Sequence, residues 1–290
     1  MTVTALTRET LGAFPLPSLD GAGDKEDRGR LLAIAGSREL AGAAILAGIG
    51  GLRAGAGKLQ VATAASTAPI MAVAIPEARV IGLAETDAGC IAEAECGRII
   101  GWVESAQATL LGCGLQAGPP LAALLDALLA RRLDTPLVLD AAAFDELPDR
   151  ADALRAWPGG AILLPHPGEA ARLLGRDKEA ILADPLAAAR EAAARFGAIA
   201  LVKGPSSHVA APDGRAFRYE GGGIGLATSG SGDTLAGIVG GLAARGADPL
   251  TATLWGIWLH GEAGRLLSRD IGRVGFLARE ILDQVPGLLP

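Results

Sequence analysis

Residues 199–234 read IALVKGPSSHVAAPDGRAFRYEGGGIGLATSGSGDT, and this stretch decides the fold. Ile199–Lys203 is an apolar run closed by a lysine, the pattern of a strand covered on both faces. Ser207–Ala211 and Arg215–Tyr219 flank Pro212-Asp213-Gly214, and Asp-Gly between two short runs predicts an antiparallel hairpin. Six glycines then fall within residues 221–232, directly before a helical pattern. In that pattern Leu235, Ile238, Val239 and Leu242 share one face, while Ala236, Gly237, Gly240, Gly241 and Ala244 make the other face very small. A small face allows another backbone to approach closely.

Working outward, short apolar runs alternate with helical patterns along the rest of the chain. The runs predict strands at Leu31–Ala35, Leu59–Thr63, Arg79–Leu83, Ala108–Gly112, Leu137–Asp140 and Ala161–Leu164. Helices are expected over 41–54, 89–105, 120–132, 168–174, 185–196, 232–245, 249–268 and 275–284. The sum is an α/β fold of three α/β/α layers. Its central sheet is mostly parallel, with an antiparallel hairpin near the C-terminal part. Residues 12–29 are the most loop-like stretch and precede the first expected strand.

Composition narrows the function. Of 290 residues, half are apolar but only 3% are aromatic, and there are 41 glycines. The 26 Lys and Arg against 32 Asp and Glu give a net charge of −6. Few aromatic faces and an acidic balance exclude a nucleic-acid stacking platform. Phosphate would have to be held by backbone N–H groups or a few placed cations, because the overall field repels it. Cys90, Cys96 and Cys113 show no CxxC pairing, which predicts reduced thiols in a cytoplasmic protein and no zinc site. The uncharged stretch Leu40–Leu52 is too short to span a bilayer, and residues 1–20 lack a signal-peptide pattern.

The glycine loop carries the chemistry. Glycines before a helix leave several N–H groups aimed at one point, where the helix dipole favours an anion. Asp233 in the first turn would repel phosphate unless it serves the reaction as a base. Ser231 and Asp233 also suit helix capping. No Lys-Ser/Thr follows, so this is not a Walker loop. Lys203-Gly204 ends a strand, where open α/β sheets bind ligands. His166, fenced by Pro165 and Pro167, sits on a rigid strand-to-helix turn, and Glu169 is accounted for by the helix dipole. Asp140 would hold a metal-bound water or cap the next turn. His208 and His260 read as structural.

Taken together, Gly36-Ser37, Gly42-Ala43, Arg53-Ala54-Gly55-Ala56-Gly57, Pro165-His166-Pro167-Gly168-Glu169, Lys203-Gly204 and Ala227-Thr228-Ser229-Gly230-Ser231-Gly232-Asp233 resemble one family. It is the bacterial ADP-dependent NAD(P)H-hydrate dehydratases, a branch of the ribokinase-like superfamily. The resemblance spans about residues 25–285. It implies an extension over residues 1–24 and a single ribokinase-like domain over 25–290, with no fused epimerase domain. It further implies that Asp233 is the base, and that Ala43, Gly114, His166 and Asp233 contact the hydrate. Lys203, Gly204, Pro205, Ser206, Ser207, Gly230, Ser231 and Gly232 would hold ADP, with magnesium sharing the phosphate charge. Exposed small-residue helices and the resemblance together imply a symmetric homo-oligomer such as a tetramer.

The chain departs from the family pattern in four places. Gly112-Cys113-Gly114 replaces a Gly-Pro-Gly turn, Asp140-Ala141-Ala142 lacks a second acid, Ser207 stands for threonine, and Gly222–Leu226 lacks the usual Asn and Met. The residues themselves leave two other readings open. One is a small-molecule kinase of the same superfamily, acting on a vitamin-precursor or sugar hydroxyl. The other is a nucleotide-binding homologue without turnover.

Overall fold

Strands form where the apolar runs predict them, and the chain adds one more. The computed structural model describes residues 2–18 and 23–290. Its strands are β1 (Thr4–Ala5), β2 (Arg30–Ile34), β3 (Lys58–Ala64), β4 (Ala78–Leu83), β5 (Ala108–Leu111), β6 (Leu137–Leu139), β7 (Ala161–Leu163), β8 (Ile199–Val202), β9 (Ser207–Ala210) and β10 (Ala216–Tyr219). They build one sheet in the order β1-β10-β9-β8-β7-β6-β5-β2-β3-β4. β9 runs antiparallel to both β8 and β10, and every other pair is parallel.

Both faces of the sheet are covered. Along β2, Leu31 and Ala33 enter one core while Leu32 and Ile34 enter the other, as a period of two requires. The first core receives helices Ala41–Arg53, Ser231–Ala244, Pro249–Asp270 and part of Ala278–Leu288. The second receives Cys96–Val103, Pro119–Leu129, Pro167–Leu174 and Pro185–Phe196. Three layers result, as expected.

The small face of Ser231–Ala244 is used inside the chain. A Cβ on Gly237 would collide with the carbonyl of Ala47, and one on Gly241 with the carbonyl of Gly51. The two glycine-bearing helices therefore pack backbone to backbone beneath the site. Those faces are not free for a second subunit, so small-residue helices give no support to an oligomer.

Three other differences concern single elements. The helix expected from residue 89 begins as a 3-10 turn at Glu93–Glu95 and becomes α only at Cys96, because Glu85 and Ile91 first form an antiparallel bridge. The last helix runs Ala278–Leu288 instead of 275–284 and carries Pro286 within it. The two-residue strand β1 precedes the loop-like stretch and pairs parallel with β10. It has no periodicity to read, but Leu6 and Leu11 around it are buried.

Candidate active site

The chain leaves β2 for β3 and β4 on one side, then returns to β5 on the other. Such a reversal opens a crevice at the carboxyl ends of the strands. The motif residues collect there: Gly36 after β2, Cys113 after β5, Asp140 after β6, His166 after β7 and Lys203 after β8. The Gly36 N–H donates to the Cys113 carbonyl at 2.8 Å, joining the two loops at the switch point. Gly112 has φ +128°, and a Cβ there would strike the Asp140 carbonyl oxygen. Glycine is thus what lets the β5 and β6 ends close on each other.

The helix Ser231–Ala244 points its N-terminus into this crevice. Its N-cap is Gly230 in the left-handed region, and no side chain caps it. Ser231 and Asp233 therefore do not act as caps. The first-turn N–H groups of Gly232 and Asp233 have no backbone acceptor, which suits an anion. A methyl on Gly232 would lie 3.4 Å from Lys203 Nζ and 3.9 Å from Asp140 Oδ2, so the cation sits beside the helix start.

Lys203 is fixed by two acids. Its ammonium donates to Asp140 Oδ1 at 2.8 Å and lies 4.0 Å from Glu169 Oε2. Burial pulls its pKa down, but Asp140 and Glu169 outweigh this and hold it above the ordinary lysine value. Asp140 thus holds an ammonium through Oδ1. Glu169 has a role beyond the helix dipole, since it is buried beside Lys203 and its Oε2 accepts the His166 backbone N–H at 2.8 Å.

His166 is both cap and pocket wall. Its Nδ1 accepts the N–H groups of Gly168 and Glu169 at 3.0 and 3.2 Å, which completes a capping box. The proton of the neutral ring is then on Nε2, which lies 3.4 Å from Glu169 Oε1. Burial first, then Lys203, keeps its pKa below the usual value, so the ring stays neutral.

A cavity of about 580 Å³ opens over these groups, a size suited to a nucleotide-scale ligand. His166, Lys203, Gly204, Pro205 and Ser207 line one side, and Ser231 and Gly232 line another. Five other expected residues do not line it. Ser206 lies in the same loop with its Oγ buried. Gly230 packs against Leu46 and Ala278, and Gly114 closes on Ala43 and Leu40. Asp233 belongs to a deeper cluster with Cys113 and Asp140, whose Sγ and carboxylate oxygens lie within 4.8 Å of one another. Burial first, then the charge of Asp140, pushes Asp233 up to about 6. Gly232 and Lys203 join the cavity to this cluster.

His260 was hidden from the sequence because it sits mid-helix among apolar residues. Its Nε2 lies 3.0 Å from both the Ser231 carbonyl and Ser231 Oγ, and it lines the cavity. A carbonyl only accepts, so Nε2 carries the proton and the Ser231 hydroxyl remains able to donate into the cavity. Burial holds His260 at about 4, hence neutral.

Known proteins resemble this chain over most of its length. The family model described as NAD(P)H-hydrate dehydratase matches residues 31–287. The ADP-dependent (S)-NAD(P)H-hydrate dehydratase of Xanthomonas campestris is 48% identical over 99% of this chain and 96% of its own length. The bifunctional NAD(P)H-hydrate repair enzyme of Moorella thermoacetica is 36% identical, but this chain covers only 52% of it. Among solved structures, the ADP/ATP-dependent NAD(P)H-hydrate dehydratase of Bacillus subtilis, co-crystallised with ATP and magnesium, superposes with a TM-score of 0.82. It is 30% identical, covering 99% of this chain and 98% of that one. A ribokinase-like superfamily protein of Enterococcus faecalis gives a TM-score of 0.84 at 25% identity, covering 98% of this chain and 94% of that one. With the family model matching most of the chain and a relative this similar over nearly its full length, the chain belongs to the NAD(P)H-hydrate dehydratase family.

Proposed function

We propose that this chain catalyses the ADP-dependent dehydration of NAD(P)H hydrate, restoring NAD(P)H. The observation that carries the reading is the meeting of three groups at one point. These are an uncapped helix N-terminus, the Lys203 ammonium beside Gly232, and Asp233 raised to about 6. Asp233 takes the proton of the ring hydroxyl, whose oxygen then attacks the terminal phosphorus of ADP. The bond from that phosphorus to the bridging oxygen breaks, and AMP leaves. The lone pair of the ring nitrogen then expels phosphate, and loss of a ring proton regenerates the dihydropyridine. The free N–H groups of Gly232 and Asp233 at the helix start, with Lys203, stabilise charge on the transferring phosphoryl. His166 contacts the hydrate from the cavity wall, and Ala43 and Gly114, packed together beside Gly36, complete the hydrate's side of the site. Lys203, Gly204, Pro205, Ser207, Ser231 and Gly232, which line the cavity, hold the nucleotide, and Ser206 and Gly230 shape the two turns that carry them.

Magnesium belongs to this reading as an ion carried on the nucleotide phosphates. Among the described residues, the metal-type side chains that come together are Cys113, Asp140 and Asp233. They fit magnesium poorly, because one is a thiol and Asp140 already holds an ammonium, while magnesium prefers hard oxygen donors. No side chain of the chain is therefore assigned to it.

The test is to incubate the protein with NADH hydrate, ADP and magnesium and follow the returning dihydronicotinamide absorbance. Recovery supports the reading, and no recovery with ADP or ATP sinks it. Phosphorylation of an alcohol panel without recovery would establish a kinase instead, and tight ADP binding with neither reaction a non-catalytic homologue. A cytoplasmic location and a symmetric homo-oligomer such as a tetramer accompany the reading. Three free cysteines fit the first, and light scattering checks the second. Among the described residues, no helix is long and apolar enough to cross a membrane.

A further inference from the structure

The Asp140–Asp233 cluster holds more charge than it can neutralise. Two carboxylates and a thiol lie within 4.8 Å of one another, with one ammonium, Lys203, in contact. The thiol is no third anion, since burial and the neighbouring acids keep Cys113 protonated. Two buried like charges at this separation cannot both ionise freely, so one carboxyl must keep a proton to higher pH. The ammonium decides which. Burial and the charge of Glu169 raise Asp140 as well, but Asp140 alone of the two has the ammonium against it, at 2.8 Å from Oδ1, while Asp233, on the opposing helix, faces the neutral thiol.

The backbone holds Asp140 in this position. Ala141, immediately after it, is one of two non-glycine residues with positive φ among those described, at +52°. A left-handed alanine stores about 1–2 kcal/mol of strain and persists where the surroundings over-determine it. Gly112 closes against the Asp140 carbonyl from the other side. Asp140 itself is 2% exposed.

We propose that Asp140 is a positioning residue that, kept ionised by Lys203, makes Asp233 the proton-holding partner and sets its strength as a base. The proposal rests on Asp233 being the base of the reaction above. Other charged or titratable groups face the pair from every packed element. Cys113 comes from the end of β5, Glu169 and His166 from the β7 turn, Lys203 from β8, and His260 from the helix Pro249–Asp270. His166 and His260 are both neutral near pH 7, and Glu169 lies against Lys203, not Asp233. Asp140 is therefore the anion whose removal should be felt at Asp233.

The experiment is a pair of pH profiles for the unmodified protein and Asp140→Asn, with turnover in one arm and carbon-13 carboxyl resonances in the other. Turnover requires ionised Asp233, so the acid limb of kcat follows its loss of a proton. In Asp140→Asn that limb, and the Asp233 resonance with it, move to lower pH by about one unit. A plateau that falls while the limb stays in place overturns the proposal and leaves Asp140 a structural residue. Should Asp140→Asn not fold, the unmodified protein decides. Both carboxyl resonances must titrate in two coupled steps, and a single step for Asp233 in the ordinary carboxylate range overturns the proposal. The resonance reads Asp233 without turnover, so an unchanged rate in Asp233→Asn would overturn the base assignment separately.

Discussion

At the residue scale the site is a set of acids and bases sorted by their neighbours. Asp233→Asn should abolish NAD(P)H recovery while ADP affinity, measured calorimetrically, stays close to that of the parent. For the parent, the rate rises as pH is raised through about 6, where Asp233 loses its proton, and falls away below it. His166 separates two roles in one side chain. His166→Ala removes the cap of Pro167–Leu174 and should lower stability by about 1 kcal/mol in denaturant unfolding. His166→Asn keeps a capping acceptor, so stability should be restored while loss of the ring from the cavity wall still raises KM for the hydrate. The positions of Asp233, His166 and Lys203 at the strand ends and helix starts were legible in the sequence, because glycine and proline mark those junctions. Glu169, Asp140 and His260 were read too blandly. Their partners (Lys203 for the acids, Ser231 for the histidine) lie 29 to 63 residues away in the chain, and nothing local announces such pairs.

Among elements, the helix Ser231–Ala244 connects packing to chemistry. Its small face lets it approach Ala41–Arg53 closely, and that approach fixes where its uncapped N-terminus points. Gly237→Ala would drive a methyl into the Ala47 carbonyl, so we expect a loss of about 3 kcal/mol or more by denaturant unfolding. Most strands and helices were readable from apolar periodicity, and their ends shifted by a few residues. The exceptions were the short helices Ala68–Ala74, Ala143–Glu146, Ala151–Arg155 and Lys178–Ala183, too brief to show a period, and elements held by a pairing. The turn before Cys96 is held by the Glu85–Ile91 bridge, and β1 exists only because β10 presents an edge.

For the whole molecule, the sheet sets stability and the cavity sets its response to ligand. ADP with magnesium at one hundred times its Kd should add about 2.7 kcal/mol, seen as a raised Tm. Lys203→Met should lose most of that gain. It should also destabilise the free protein by about 3–5 kcal/mol, because it leaves Asp140 charged and buried without a partner. The sequence alone determined the layer architecture, the sheet's largely parallel character and the glycine turn that opens the helix Ser231–Ala244. These follow from local rules: period-two and helical apolar patterns, Asp-Gly turns, and glycines before a helix. Tertiary structure alone decided the use of the small helix faces inside the chain, the neutrality of His260 and the pairing of Lys203 with Asp140. Burial and charge proximity are properties of residues brought together across the sheet. A chain short of aromatics could show that its helices and loops approach closely, but only the fold shows which charges that approach brings face to face.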